Sequence, residues 1–189
     1  MQRNYSTLGR IARILSIAAA LAAAHHNGVG RAKMARGLAG FRGIKRRQEV
    51  RGIKNGVPVI DDFAHHPTAV RETVRAVKAF YPERRLVAVF EPRTNTSMRD
   101  VFQAEYAACF DPADLVCIRQ PPLLKKIPEG QRFSSHKLVE DIARRGVPAH
   151  YFADTEAIID FLVDRAAVHA WAAALQPASG AEGSGRSLD

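Results

Sequence analysis

Residues 57–90 spell a strand, a polar turn, a helix and a second strand, and that order dictates a fold class. Val57 to Asp61 has the β-branched content of a strand, and Asn55-Gly56 before it is a hairpin signal that returns the chain from an earlier strand, Gln48 to Ile53. Asp61-Asp62-Phe63-Ala64-His65-His66-Pro67-Thr68 crowds carboxylates, imidazoles and a proline into the turn. Ala69 to Phe80 then carries Val70, Val74 and Val77 at helical spacing and stops before Pro82. Leu86-Val87-Ala88-Val89-Phe90 is apolar without alternation, the mark of a strand covered on both faces. Such a unit predicts an α/β domain with a right-handed crossover. Its polar turn falls at the carboxyl end of a strand, where open α/β sheets bind ligands.

The alternation continues downstream. Glu91 to Ser97 reads as a second strand-end loop, Met98 to Cys109 as a helix and Asp114 to Ile118 as a strand. A Pro121-Pro122 loop with Lys125 and Lys126 leads to a helix over Ser135–Arg145, capped by Ser134 or Ser135. Ala149 to Phe152 is a short strand, and Asp154 caps a last helix ending near Asp164. Beyond it the chain is alanine-rich to Ala174, and Gln176 to Asp189 is Gly/Ser-rich, the composition of disorder. We therefore divide the chain into a helical segment (1–42), the α/β domain (43–165) and a divergent, disordered tail (166–189).

Arg3, Arg10 and Arg13 precede the apolar run Ile14 to Ala24, which has the length of a signal-peptide core but is too short to span a bilayer. A second helical run, Ala32 to Leu38, follows after Gly28, so the segment reads better as a helical hairpin with a glycine stop. The formal net charge is +9, and residues 31–54 hold nine basic residues against Glu49 alone, so nearly all of it is local. A polyanion, a nucleoside phosphate or a plain solvated face is compatible with such a run; only Phe41 interleaves with it, which disfavours single-stranded nucleic acid. The two cysteines, Cys109 and Cys117, fit no metal or redox spacing and read as packing residues of a reducing compartment.

At the turn, residues alternate faces along a strand, so one of Asp61 and Asp62 faces the crevice while the other supports a neighbouring loop. A carboxylate there can accept hydrogen bonds from a ribose diol. His65 and His66 lack the further ligands of a zinc site, so no metal is assigned. Arg47 and Arg93 are candidate fixed-fork donors to an anion. Capping carboxylates with surface histidines and arginines remain the plain alternative.

Three separated motifs, Gly43-Ile44-Lys45-Arg46-Arg47-Gln48-Glu49, Asp61 to Thr68 and Phe90-Glu91-Pro92-Arg93-Thr94-Asn95-Thr96, stand in the order seen in the C-terminal domain of Mur ligases. The chain resembles that family over about Leu15 to Arg165, and looks most like members that attach a murein peptide to UDP-N-acetylmuramate. The resemblance implies a Rossmann-like, open, mostly parallel sheet with flanking helices, preceded by the end of a central domain. It implies a cytoplasmic enzyme using ATP and Mg2+ to turn a carboxylate into an acyl phosphate that an amine attacks. By the same resemblance Arg47, Asp62 and His65 approach the nucleotide, and Arg93, Thr94, Asn95 and Thr96 face the incoming amino acid or peptide. Catalysis would rest on positioned charge rather than a nucleophile.

The departures matter equally. No G-x-x-x-x-G-K-[ST] loop occurs; Gly28 to Lys33 lacks the required glycine and hydroxyl. The UDP-sugar domain is absent too, and the family's last strand is expected to be missing, replaced by residues 166–189. The expectation is a truncated domain that does not ligate alone, with a separate chain supplying the P-loop. The alternative is a non-catalytic basic module for anionic nucleotides or nucleic acid that keeps only the fold.

Overall fold

In the computed structural model, residues 3–166 and 171–174 are described. Two compact units divide at Gly43: Met1–Gly43 and Ile44–Asp189. The first holds α1 (Arg3–His26) and α2 (Arg31–Ala39). Between them Gly28 sits at φ 77°, a conformation that strains any residue with a Cβ, and the Asn27 side chain donates to the Ala23 carbonyl (2.8 Å) to close the last turn of α1. No helix among the described residues is long and apolar enough to cross a membrane.

The second unit is a six-stranded sheet in the order β1-β2-β6-β3-β4-β5, formed by β1 (Glu49–Lys54), β2 (Val57–Asp61), β3 (Arg85–Phe90), β4 (Leu115–Arg119), β5 (Ala149–Phe152) and β6 (Trp171–Ala174). β1 runs antiparallel to β2, and every other neighbouring pair is parallel. Asn55 (φ 50°) and Gly56 (φ 77°) close the ribbon in the left-handed region that a two-residue hairpin with matched twist requires. The sheet is thus open and mostly parallel, as the strand–turn–helix–strand unit predicts.

β3 alternates into two cores. Leu86, Ala88 and Phe90 join Val70, Val74 and Val77 of α3 (Pro67–Phe80), Tyr106 of α4 (Gln103–Ala107), and Leu138 and Ile142 of α5 (Ser135–Arg144) on one face. Val87 and Val89 meet Leu115, Cys117, Ile158, Phe161 and Leu162 on the other, which α6 (Thr155–Ala166) covers. Burial on both faces is why that strand needs no polar alternation; each fully buried Leu, Ile or Phe adds about 1.5–3 kcal/mol. Cys109 and Cys117 are buried and unpaired. Burial pushes their thiols up to about 11 and about 12, so neither is a nucleophile near neutral pH.

Two expectations are corrected. The helix expected over Met98–Cys109 is broken: Arg99 is extended and bridges Arg132, Phe133 N donates to the Met98 carbonyl (2.9 Å), and only residues 100–110 coil, as two 3-10 turns around the short α4. The closing strand expected to be missing is present as β6 at Trp171–Ala174, inside the segment taken as an irregular tail, and it pairs with β2 and with β3. Alanine is a poor β-former in isolation, so a four-residue strand supported from both sides leaves no local signal. Gln176 to Asp189 lie outside the described residues.

Asp114 shows how the layers are tied. Its Oδ2 accepts from the Lys78 ammonium (2.8 Å) on α3 and from the Leu86 amide (2.7 Å) at the start of β3. Desolvation raises the carboxyl, but these two donors outweigh it and hold the group below the ordinary aspartate value. A depressed folded value means stability that is fully present above the unfolded value and lost as pH falls through the folded one. Asp114→Asn is therefore expected to lower the urea midpoint at pH 7, with the difference from wild type shrinking progressively as pH falls below the ordinary aspartate value; a pH-independent difference would show that the carboxylate's charge is not what binds these layers.

Candidate functional site

The basic loop before β1 and the acidic turn after β2 are stitched into one cluster. Phe63 N donates to the Arg46 carbonyl (2.9 Å), Gln48 N donates to Asp62 Oδ2 (3.0 Å), and Arg46 N donates to Glu49 Oε2 (2.9 Å). Arg46 (φ 56°) and Gln48 (φ 49°) both sit in the left-handed region, a strained bend held by those bonds. The Arg46 and Arg47 guanidinium carbons lie 4.9 and 5.3 Å from the Phe63 ring centroid. Arg47 is exposed, so a fixed cation stands at the carboxyl end of β2.

The two carboxylates are both buried but differ in their partners. Asp62 is buried, with Oδ1 accepting from Ala64 N (2.7 Å) and Oδ2 from Gln48 N, so it supports the loop and turn. Asp61 is also buried; burial pushes its carboxyl up against the pull of Arg46 and Arg51, and its Oδ1 and the Arg46 Nε are both buried without a hydrogen-bond partner.

The histidines diverge. His65 Nδ1 lies 3.0 Å from the Phe63 carbonyl, which can only accept, so that nitrogen carries the proton and Nε2 is left for a ligand. The His65 carbonyl in turn accepts from the Tyr106 hydroxyl, which burial holds in its protonated form. His66 instead caps α3, its Nδ1 accepting from Thr68 N (3.3 Å), with its ring against Phe102. Among the described residues, no three His, Cys, Asp or Glu side chains come together as a metal site.

The loop after β3 is built differently. Thr94 and Ser97 satisfy one another: Thr94 N donates to Ser97 Oγ (2.9 Å), Ser97 N to Thr94 Oγ1 (3.3 Å), and Met98 N to the Thr94 carbonyl (2.9 Å). Asn95 and Thr96 are exposed at its tip, and Arg93 is half-buried at its root. Glu91, buried at the end of β3, pairs with Arg93 Nε (2.8 Å) through Oε1 and with Arg119 Nη1 (2.5 Å) through Oε2. The site residues read from sequence thus fall at two strand ends, Arg47, Asp62 and His65 at β2 and Arg93 to Thr96 at β3. Sequence reasoning missed Glu91 and Arg119 as a pair; a charged residue at the end of an apolar strand was the available signal.

Comparison with known proteins adds the following. Residues 46–173 match the family described as Mur ligase, glutamate ligase domain. The chain is 36% identical over 152 residues to the UDP-N-acetylmuramate–L-alanine ligase of Geobacter sulfurreducens, covering 79% of this chain and 32% of that one. A murein peptide ligase from Psychrobacter arcticus superposes with a TM-score of 0.60 at 29% identity, over 81% of this chain and 31% of its own. The UDP-N-acetylmuramate–alanine ligase of Thermotoga maritima shares the fold, with a TM-score of 0.62 at 20% identity, over 86% and 33% of the two chains. The chain spans about a third of the length of these relatives.

Proposed function

The chain belongs to the Mur ligase family, whose glutamate ligase domain it carries, and from that premise we propose that it is the C-terminal domain of an ATP-dependent ligase joining an amino acid or peptide to UDP-N-acetylmuramate in peptidoglycan synthesis or recycling. One observation carries the reading. A cationic, hydrogen-bonded turn and a polar loop anchored by a buried ion pair stand at the carboxyl ends of two strands of one parallel sheet. Relatives that are themselves ligases do not favour a basic nucleic-acid module.

Within this reading Arg47 and the Nε2 edge of His65 meet the nucleotide, and Asp62 acts by holding the turn in register. An exposed guanidinium stacked on Phe63 and an imidazole with one nitrogen already committed fit a phosphate and its sugar. ATP supplies the phosphoryl group that activates the acceptor carboxylate. Among the described residues no three His, Cys, Asp or Glu side chains gather into a cage for Mg2+. Arg93, Asn95 and Thr96 orient the incoming amine-bearing substrate through its carboxylate, and Thr94 shapes the loop.

The test is ADP release with ATP, Mg2+, UDP-N-acetylmuramate and either L-alanine or the murein tripeptide. It is run on this chain alone and with a separately made polypeptide carrying the P-loop and UDP-sugar domains of a relative. Activity only in the mixture supports the proposal, and silence in both defeats it. In the active mixture, Arg93→Ala is expected to raise KM for the amine substrate about tenfold while leaving KM for ATP within about twofold, because a guanidinium–carboxylate pair is worth roughly one such factor. Equal effects on both substrates count against the loop assignment.

A further inference from the structure

The amino ends of the strands carry a surface that the site does not use. Phe80, the last residue of α3, is 76% exposed and Ile53 in β1 is 69% exposed, the highest values of any large apolar side chain among the described residues. Ile53 stands opposite Pro58, which shares a strand face with Ile60, so Ile53 points to the side of the sheet on which Ile60 packs with Val74 and Val77 of α3. Phe80 belongs to that same layer. Arg84 Nη1 donates to the Gly56 carbonyl, which ties the hairpin tip to the turn between α3 and β3 and brings both residues to one end of the sheet. The Phe80 ring meets the Tyr81 ring edge-on (4.8 Å), a contact that fixes it while leaving most of it to water.

Cations surround this apolar pair. Lys54 lies at the hairpin tip and Lys78, Arg84 and Arg85 at the turn, against Glu83 and the Asp114 that Lys78 pairs with, so four cations meet two carboxylates. An extended anionic surface responds to that surplus rather than to individual pairs. The Gly56 carbonyl and the Tyr81 ring, 5.6 Å from the Arg84 guanidinium carbon, are both neutral and leave the charge of Arg84 in place. Basic side chains beside exposed apolar ones suit the boundary of a bilayer, where the cations reach the headgroups and the apolar groups enter below them. A protein partner asks for more: a stable interface buries about 800 Å² per side around several anchors, which two large apolar side chains do not supply. We propose that this end of the sheet is a peripheral docking surface for an anionic lipid bilayer, with Phe80 and Ile53 inserted and Lys54, Arg84 and Arg85 over the headgroups. Arg47, His65 and Arg93 to Thr96 lie at the opposite, carboxyl ends of β2 and β3, one strand length or about 15–20 Å away, so a docked domain keeps its site open to water-borne substrates. The docking goes beyond the ligase reading and does not depend on it.

The test uses the full 189-residue chain with vesicles of phosphatidylglycerol and phosphatidylcholine in equal parts, or of phosphatidylcholine alone. Cys109 and Cys117 are buried, so an environment-sensitive fluorophore can be placed on Ala79→Cys beside Phe80, or on Ala157→Cys of α6, exposed on the other face of the sheet. The expected result is co-sedimentation with the anionic vesicles only, and a blue shift of the label at position 79 but not at position 157. Phe80→Ser and Ile53→Ser are each expected to weaken vesicle binding about tenfold, and Lys54→Gln about fivefold, the factor for one cation near an anionic surface. Melting temperatures should stay within about two degrees of wild type, since all three side chains are exposed. The basic helical unit, residues 1–43, is the other source of vesicle binding in this chain. Binding that survives all three substitutions, or a shift equal at both labels, assigns the attachment elsewhere and overturns the proposal. Equal binding to phosphatidylcholine alone overturns the anionic bilayer. A shift at position 79 produced by polyglutamate but not by vesicles identifies an acidic polypeptide instead and overturns it as well.

Discussion

A chain ended at Ala166 is expected to lose cooperative folding altogether. β6 lies between β2 and β3, pairing Val59 and Ile60 with Ala173 and Ala174 on one side and Arg85 to Ala88 with Trp171 to Ala174 on the other. Its loss would leave two sheet fragments a strand's width apart, about 10 Å, each with an unpaired edge. The β1-β2 ribbon would then hold to the rest chiefly through α3, and a two-stranded ribbon is marginal by itself. Thermal melts followed by circular dichroism, with amide dispersion in a proton–nitrogen spectrum, read the outcome. A cooperative melt within a few degrees of the full chain would mean that β6 is dispensable to the sheet. Ala173→Pro tests the same strand without shortening the chain and is expected to cost about 3 kcal/mol or more by removing a ladder donor from an interior strand.

Asp62→Ala is expected to produce the largest loss of any single substitution at the site. Both Asp62 oxygens accept from backbone amides, Ala64 N at 2.7 Å and Gln48 N at 3.0 Å, and the side chain is buried. Hydrogen bonds to a charged group are worth about 1.5–3 kcal/mol each, and the two amides would be left without their acceptor, so a loss of about 3–5 kcal/mol follows. That is a large part of the roughly 5–15 kcal/mol holding a typical domain together. Asp62→Asn keeps one acceptor oxygen and places an amide donor against the other N–H, so about half of the loss is expected. Urea midpoints give both values. Asp62→Ala at the wild-type midpoint would show that the carboxylate is spent on a ligand rather than on the turn; ligation lost in step with stability supports the turn.

The parallel core was legible because its signals are local. Leu86 to Phe90 needs no partner to announce a strand covered on both faces, and Asn55-Gly56 announces its own hairpin through the φ values it tolerates. Asp154 capping α6 through Ala157 N (2.9 Å), and Ser134 capping α5, follow from the same short-range chemistry. β6 was not legible, since its place between β2 and β3 is decided by backbone partners far off in sequence. The break in the helix after Met98 also depends on distant residues, Arg132 and Phe133. At the site, the residue types at the turn could be read, but their division of labour could not. That Asp62 faces Gln48 N, and that Glu91 grips Arg93 and Arg119 together, depends on strand ends meeting in space.

The bond from Gln48 N to Asp62, fourteen residues apart, also makes the ribbon a ruler. An insertion or deletion of one residue in either strand would turn every following side chain to the opposite face and carry Arg47 away from Phe63. Length changes between the basic loop and the acidic turn should therefore be confined to the hairpin tip at Asn55-Gly56, which leads away from these contacts. That tip is the place to graft an epitope or a fluorophore. Homologues that lengthen this region should do so there, keeping the two strands residue for residue.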